Sequence, residues 1–176
     1  MLKVDKIVTG YLRENCYIIH DGTNGLIIDP GSDEEKIATL INKLNVNIKG
    51  ILITHYNFDH IGALEFIKNL FPNAKVVDFK NAGNMIIDTF NFKVVETYGH
   101  TMDSCSFFFD TENILFSGDF IFKGTIGNYE EDHEKDMIKS FQVLKYMNKS
   151  VIIYPGHDEY TTVGEELKEN PFLKGI

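Results

Sequence analysis

The sequence predicts an α/β fold, and three observations support that prediction. Short apolar runs typical of buried strands alternate along the chain with segments of helical periodicity. The chain has 176 residues, of which 43% are hydrophobic, which is enough for one domain with a full core and too few for two ordinary domains. No linker or repeat interrupts the alternation. We therefore predict a single domain over residues 1–176.

The N-terminal part is predicted to form a β-meander followed by a helix. Strand patterns cover residues 3–8, 15–20 and 26–28. Ser32, with Glu35 three residues later, has the pattern of a capping box at a helix N-terminus. The helix that follows has an apolar face made by Ile37, Leu40, Ile41 and Leu44.

Asp29 ends the third predicted strand and has two interpretations. Its carboxylate could support a functional site from behind the residues that form it. It could equally serve only as a turn-former before Pro30 and Gly31. The sequence leaves both interpretations open.

The central part alternates strand and helix patterns around a segment rich in polar side chains. Strands are predicted at residues 48–54, 75–77 and 92–95. Between the first two, a helical pattern begins at Ile61 and ends near Phe71. Its predicted buried face comprises Leu64, Phe66, Ile67 and Leu70. Residues 78–90 lack a clear pattern.

The C-terminal part is predicted to contain three more strands and two helices. The strands cover residues 104–109, 114–116 and 151–154, and a loop occupies 122–128. A helix covers 132–147, and Met137, Phe141, Leu144 and Tyr146 supply most of its apolar residues. Thr162 and Glu165 form a capping box that opens a terminal helix, which stops before Pro171.

Composition and charge exclude several classes of function. The net charge is −9 and no basic cluster is present, so we expect no nucleic-acid partner. No apolar run approaches the roughly 20 residues of a membrane span, and residues 1–6 lack a signal-peptide core. We therefore expect a cytoplasmic protein without a membrane partner. Cys16 and Cys105 lie far apart in strand patterns, and we interpret them as small buried hydrophobic residues.

Side chains of metal-ligand type recur where predicted strands end. Three lie within six residues, His55, Asp59 and His60, in a loop after the apolar run 51–53. The others are single residues on later turns, namely His100, Asp119 and His157. Because a sheet gathers strand ends at one rim, ligands distant in sequence can meet there. Imidazole and carboxylate are ligands for zinc and iron, so this pattern predicts a metal site.

Two histidines lie outside these turns. We interpret His20 and His133 as surface or strand-end residues rather than ligands. Four of the six histidines therefore belong to the predicted site.

The order of these motifs resembles the metallo-β-lactamase superfamily. The motifs are His-x-x-x-Asp-His at 55–60, Gly-His-Thr at 99–101, Ser-Gly-Asp at 117–119 and Pro-Gly-His at 155–157. More closely, the chain resembles small glyoxalase II-like (hydroxyacylglutathione hydrolase-like) members, and the similarity covers nearly its whole length. The resemblance implies an αββα four-layer sandwich, two mixed sheets flanked by helices, with the metals at one edge.

By position, the resemblance implies two neighbouring metal sites. The first comprises His55, Asn57 and His100, the second comprises Asp59, His60 and His157, and Asp119 bridges them. Zinc is the expected ion, one or two per chain, with iron or manganese as alternatives.

Asn57 departs from the family pattern, which usually has histidine at this position. A neutral amide oxygen is a weaker zinc ligand than an imidazole nitrogen. Either the first site is weak and Asn57 or water completes it, or only the second site is occupied. His55, His100 and Asp119 also form a two-histidine, one-carboxylate set, which is the ligand set of non-haem iron oxygenases. Persulfide dioxygenases of the superfamily are similar in this respect, so Asn57 does not exclude that activity.

The resemblance implies a metal-dependent hydrolase that cleaves a thioester, or a related small ester, by metal-bound hydroxide. Asp59 is the candidate catalytic residue, which would orient the nucleophile or take its proton. Lys123, Asn128 and Tyr56 are the candidates for contact with a small-molecule substrate. The alternatives are a mononuclear iron persulfide dioxygenase and a degenerate member that binds metal or ligand without turnover. The sequence carries no signal for an oligomeric state.

Overall fold

Two mixed β-sheets organise the computed structural model, which describes residues 2–175. The first sheet comprises β1 (Lys3–Thr9), β2 (Glu14–His20), β3 (Asn24–Ile28), β4 (Asn47–Leu52) and β5 (Lys75–Val77). These strands lie side by side in chain order. The first three pair antiparallel, as the predicted meander requires, whereas β4 and β5 run parallel to β3.

The second sheet is built from the later part of the chain. Its strands are β6 (Gly83–Ile87), β7 (Phe90–Glu96), β8 (Cys105–Phe109), β9 (Ile114–Gly118), β12 (Ile152–Pro155) and β13 (Thr161–Thr162). Their spatial order is β13-β12-β9-β8-β7-β6. A separate two-stranded hairpin, β10 (Ile121–Phe122) and β11 (Thr125–Ile126), follows β9.

Helices occupy the connections between strands. They are α1 (Glu34–Leu44), α2 (Phe58–Ile61), α3 (Leu64–Leu70), α4 (Glu134–Lys145) and α5 (Val163–Glu169), with 3-10 turns at Phe79–Asn81, Glu131–His133 and Pro171–Leu173. Among residues 2–175, none of these helices has the length and apolarity needed to cross a bilayer.

Three apolar clusters show the layering. Tyr17 and Ile19 of β2 pack between the sheets with phenylalanines of β7, β8 and β9. Cys16 and Ile18 point to the other side of β2 and pack against α1 and α3. On the far side of the second sheet, α4 and α5 cover a third cluster that includes Ile153. Because side chains alternate along a strand, each sheet buries both faces, and the αββα sandwich is confirmed.

The strand directions bring the predicted ligands to one edge. Strands β7 and β8 are antiparallel, as are β8 and β9, so β7 and β9 run the same way. Strand β12 is parallel to β9. The chain therefore leaves β7, β9 and β12 at the same edge of the second sheet, and His100, Asp119 and His157 follow these three exits.

The two predicted capping boxes have different outcomes. Thr162 and Glu165 form the reciprocal box that opens α5, as predicted. Ser32 does not cap α1. That helix begins at Glu34 after Asp33, whose φ of 59° is left-handed and whose side chain makes no capping hydrogen bond. The backbone N–H of Ser32 instead donates to Glu14 Oε1 at 3.0 Å, which holds this residue outside the helix.

The elements that the sequence missed are short. Residues 78–90 contain edge strand β6, and the loop at 122–128 contains the β10–β11 hairpin. Elements of two to five residues carry too few side chains to show a period. Two predicted buried residues, Phe66 and Leu70, are exposed instead. Tyr146, predicted within the last helix turn, lies just beyond the end of α4 and is also exposed.

Candidate metal centre

The connection after β4 supplies the first three ligand candidates. His55 is buried on this connection, three residues beyond Leu52. Asp59 and His60 were predicted in the same loop, but they lie in the short helix α2, which begins at Phe58. Both are buried, Asp59 at 7% exposure and His60 at 0%.

The buried carboxylate of Asp29 holds this connection in place through three hydrogen bonds. Its carboxylate accepts hydrogen bonds from the backbone N–H of Thr54 at 2.7 Å and from the Thr54 hydroxyl at 2.6 Å. It also accepts one from His60 Nδ1 at 2.9 Å. Because an ionised carboxylate only accepts, the Nδ1–H of His60 points to Asp29 and Nε2 points away from it. Of the two interpretations of Asp29, the structure supports the first.

Thr54 sets the orientation of His55 by the same logic. Its hydroxyl proton is directed to Asp29, so its oxygen accepts from His55 Nδ1, 3.0 Å away. The lone pair of His55 is therefore on Nε2. Thr54 was not among the predicted site residues, and its only sequence signal is a hydroxyl directly before the candidate ligand His55.

The other three ligand candidates arrive from the second sheet. His100 is fixed by a hydrogen bond of 2.5 Å from Nδ1 to the backbone oxygen of Asn128. Asp119 follows β9 directly, and its Oδ1 lies 3.3 Å from His60 Nε2. His157 follows β12, and its Nε2 lies 3.4 Å from Asp59 Oδ2 and 3.5 Å from Asp119 Oδ2.

The six residues form two neighbouring ligand sets, and Asp119 of one set lies within 3.5 Å of His60 and His157 of the other. The ligand atoms of His55, His100 and Asp119 all lie within 4.8 Å of one another, as do those of Asp59, His60 and His157. A third group at the same spacing joins Asp29, His55 and His60. The Asp29 oxygens are already bound by Thr54 and His60, so we interpret this third group as the support of the other two.

Three buried atoms at the centre make no hydrogen bond of suitable geometry, although two of them lie 3.3 Å apart. They are His55 Nε2, His60 Nε2 and Asp119 Oδ1. A buried polar atom without a partner costs about 1–3 kcal/mol, so such atoms rarely converge without a ligand. All three are good donors to a divalent cation, and the donor set therefore fits a metal centre.

The charges around these atoms shift three pKa values. Burial, reinforced by the neighbouring His60, lowers the pKa of His55 well below its usual range. Burial would also lower the pKa of His60, but the contacts with Asp119 and Asp29 outweigh it and raise that pKa. Burial opposes ionisation of Asp119, yet the contact with His60 and the nearby imidazoles lower its pKa to about 2.

The turn that carries His157 is held by a close fit and by hydrogen bonds. A Cβ atom at Gly156 would collide with Asp119 Oδ1 and lie 2.7 Å from His60 Cε1. Asn15 of β2 donates from its side chain to the backbone oxygens of Pro155 and Asp158, each at 3.0 Å, and from its backbone to Gly156 at 2.7 Å. Asn15 thus positions His157. A polar residue in a buried strand is the single sequence signal for this role.

The structure places the remaining site candidates around this centre. Asn57 directs its side-chain nitrogen to His100 Nε2 at 3.0 Å. Tyr56 donates to Asp78 Oδ2 at 2.7 Å, and burial together with this hydrogen bond raises its pKa. Lys123 is exposed at the β10–β11 turn. Asn128 contributes its backbone oxygen to His100, and its side chain is exposed.

The other notable side chains lie outside the centre. His20 ends β2 as predicted, but it is buried and paired with Asp5 at 2.9 Å rather than at the surface. Cys16 and Cys105 are free and buried, as predicted, and burial raises the pKa of both thiols.

The four-layer sandwich with imidazoles and carboxylates at its edge defines a class of metal-binding α/β proteins. The sequence profile of the metallo-beta-lactamase superfamily matches residues 9–85 and 76–157, and the chain belongs to this superfamily. Among its relatives, the hydroxyacylglutathione hydrolase GloC of Haemophilus influenzae is 30% identical over a gapped alignment of 208 positions that covers 98% of each chain. The probable metallo-hydrolase YqgX of Bacillus subtilis is 26% identical over a gapped alignment of 209 positions that covers 99% of each chain.

Solved structures give the same assignment. The crystal structure of the BLEG-1 B3 metallo-beta-lactamase matches with a TM-score of 0.91 at 28% identity, over 98% of this chain and 100% of that one. A protein crystallised in a di-iron-bound form matches with a TM-score of 0.85 at 26% identity, over 96% of this chain and 100% of that one. The superfamily and these relatives support a metal-binding hydrolase in general.

Proposed function

We propose that this protein is a metal-dependent hydrolase that cleaves a small thioester or a related small ester. The observation that carries the proposal is the convergence of His55 Nε2, His60 Nε2 and Asp119 Oδ1, which are buried without a hydrogen-bond partner. The 30% identity to a hydroxyacylglutathione hydrolase over nearly the whole chain supports a thioester as the substrate.

Two ligand sets would hold the ions. His55, His100 and Asp119 form one, and Asp59, His60 and His157 form the other. A bound divalent cation lowers the pKa of water from about 15.7 toward roughly 7 and stabilises negative charge that develops on a carbonyl oxygen.

The chain's own residues would orient the reactants. Asp59 is buried at the edge of the centre, 3.4 Å from His157, where its carboxylate can orient a water molecule and accept its proton. Phe58, at 70% exposure, adjoins Asp59 and offers an apolar surface for an acyl group. Lys123 is the nearest candidate on the neighbouring hairpin for an anionic group of the substrate. A nucleophilic serine or cysteine is not required, and the buried cysteine thiols have raised pKa values that disfavour a thiolate.

The proposal is tested with protein purified without added metal. Elemental analysis should find zinc, iron or manganese in the protein. Hydrolysis of a hydroxyacylglutathione thioester should fall on chelation and return when the metal is restored. Replacement of a ligand, His157→Asn, should reduce both metal content and turnover, whereas His133→Asn should leave both unchanged because His133 lies outside the centre. Thioester hydrolysis that survives complete removal of metal would refute the proposal.

A second candidate function is an iron-dependent persulfide dioxygenase. It is favoured by one observation, the two-histidine, one-carboxylate set of His55, His100 and Asp119. Purified protein with one iron per chain, consuming oxygen when a persulfide is added and leaving thioesters intact, would replace the hydrolase proposal with this one.

A further inference from the structure

His100 uses both ring nitrogens within the protein. Its Nδ1 lies 2.5 Å from the backbone oxygen of Asn128, which can only accept, so Nδ1 carries the proton. The lone pair of His100 is therefore on Nε2, the atom that belongs to the first ligand set.

Asn57 occupies that lone pair. Its side-chain nitrogen lies 3.0 Å from His100 Nε2. Because an amide oxygen would be repelled by a lone pair, the amide must present its N–H, and Asn57 donates to His100. As a result, His100 Nε2 has a partner, whereas His55 Nε2 and His60 Nε2 have none.

The position of Asn57 in α2 supports this assignment independently. Asn57 is the N-cap residue of α2, with φ −64° and ψ 142°, and asparagine there commonly accepts a hydrogen bond from the first turn of the helix. The Asn57 side chain makes no such capping bond. Its amide is directed to His100 instead.

The second ligand set has no comparable obstruction. Among the described contacts, no side-chain amide donates to His60 Nε2, which lies 3.6 Å from Asp59 Oδ2 and 3.3 Å from Asp119 Oδ1. His157 Nε2 is within 3.5 Å of the same two carboxylates. Two carboxylates therefore face the second set, and a divalent cation is attracted more strongly there than beside a single carboxylate.

We infer that Asn57 blocks His100, so that the centre fills in a fixed order. The first ion binds Asp59, His60 and His157, and the second binds His55, His100 and Asp119 only after the Asn57–His100 hydrogen bond breaks. This inference rests on the proposed metal-binding function and adds that Asn57 acts as a competitor for His100 rather than as a ligand. Loss of one hydrogen bond corresponds to about a tenfold weaker second binding constant.

Calorimetric titration of the metal-free full chain with zinc tests the order. Wild-type protein should bind one zinc tightly and a second at least about tenfold more weakly. In Asn57→Leu the donor is lost, no ligand is added and the volume is similar, so the second binding constant should tighten by up to about tenfold. Asn91→Leu, an exposed asparagine replaced on β7, is the matched control and should behave as wild type.

The outcomes separate the inference from the proposed function. Two zinc ions bound with equal affinity by the wild type, or an Asn57→Leu variant whose second constant is unchanged or weaker, would overturn the blocking role. A weaker constant would show that Asn57 is a ligand. Thioester hydrolysis is measured in parallel, and its absence in protein that fills in the expected order would refute the hydrolase proposal alone. A wild-type chain that binds none of zinc, iron and manganese would overturn both.

Discussion

The two sheets contribute to the metal centre in different ways. On the side of the first sheet, His55, Asp59 and His60 come from one short connection, and side-chain hydrogen bonds to the single carboxylate of Asp29 orient it. On the side of the second sheet, each candidate ligand follows a different strand, and hydrogen bonds to backbone oxygens fix His100 and the turn of His157. The first half therefore depends on the chemistry of one buried group. The second half depends on strand register and on how closely neighbouring turns approach.

The largest expected effect is on the second half, at Gly156. In Gly156→Ala the new methyl group would collide with Asp119 and press on His60, so the ligands must move apart. We expect zinc affinity to fall by about 100-fold, the upper end of the loss that follows when ligands lose the groups that position them. Calorimetry measures the affinity, and circular dichroism verifies that the variant is folded. Gly25→Ala, whose new methyl group would lie 3.4 Å from its neighbours, is the control. Wild-type zinc affinity in Gly156→Ala would show that this close fit is dispensable.

Asp29→Asn tests the support of the first half, because it removes the negative charge that orients the side chains of His60 and Thr54. The change conserves shape, and asparagine tolerates the left-handed backbone of residue 29, with φ 51°. Loss of such an orienting partner typically costs 10–100-fold in metal affinity, and we expect an effect of about that size. Asp88→Asn is the matched control, since Asp88 has φ 53° and lies outside the centre. If both variants bind zinc equally well, Asp29 is only a turn-former.

Asn15→Ala tests the backbone support of the second half. It removes both side-chain hydrogen bonds to the turn around His157 and leaves the Pro155 and Asp158 oxygens without that donor. We expect the free energy of unfolding to drop by about 1–3 kcal/mol and zinc affinity to weaken by about tenfold. Asn24→Ala serves for comparison, because its hydrogen bond to Asp88 is exposed. Unaltered zinc binding would mean that His157 is positioned without Asn15.

The pH dependence of the free energy of unfolding, measured on the metal-free protein, tests the contact between the two halves, which is the pair His60 and Asp119. The pKa of His60 is raised above 6.5, so its stabilising contribution is complete below that pH and is lost as pH rises through the folded-state pKa. The pKa of Asp119 falls from 3.8 to about 2, so its contribution is present above pH 3.8 and is lost as pH falls toward 2. Stability from this pair should therefore be greatest between pH 3.8 and 6.5.

Urea unfolding at several pH values measures this effect. The free energy of unfolding should decline above pH 6.5, at no more than about 1.4 kcal/mol per pH unit for one proton. The decline should be smaller in His60→Asn and unchanged in His133→Asn. Zinc affinity should increase as the pH rises above 6.5, because zinc binds the neutral form of an imidazole. A metal-free protein whose stability increases above pH 6.5 through His60 would contradict the assigned contacts.

The smallest expected effect is at Lys123, on the hairpin beside the second half. An exposed charge contributes little, so Lys123→Ala should raise the KM for an anionic thioester by at most about fivefold and leave kcat unchanged. Steady-state kinetics at low and moderate salt measure it, with Lys139→Ala as the control on α4. Equal KM values in the two variants would show that Lys123 does not contribute to substrate binding.

Much of the fold could be predicted because long helices and strands show a clear periodicity of apolar residues in the sequence. The meander, the apolar face of α1 and the α5 capping box follow from neighbouring residues. Edge strand β6 and the β10–β11 hairpin are too short for that signal, and tertiary pairing decides them. Ser32 has the right residue type for a cap, but its N–H is held by Glu14, which lies 18 residues earlier in the chain.

The amino-acid sequence is enough to show which residue types stand at the strand exits, and hence the family and the candidate ligands. Four further contacts become visible once the chain is folded: Asp29 supports His60, Thr54 orients His55, Asn15 holds the turn of His157 and Asn57 donates to His100. The physical reason is that a ligand's identity is a property of one residue, whereas its lone pair and its partner depend on atoms that separate segments bring within about 3 Å of one another.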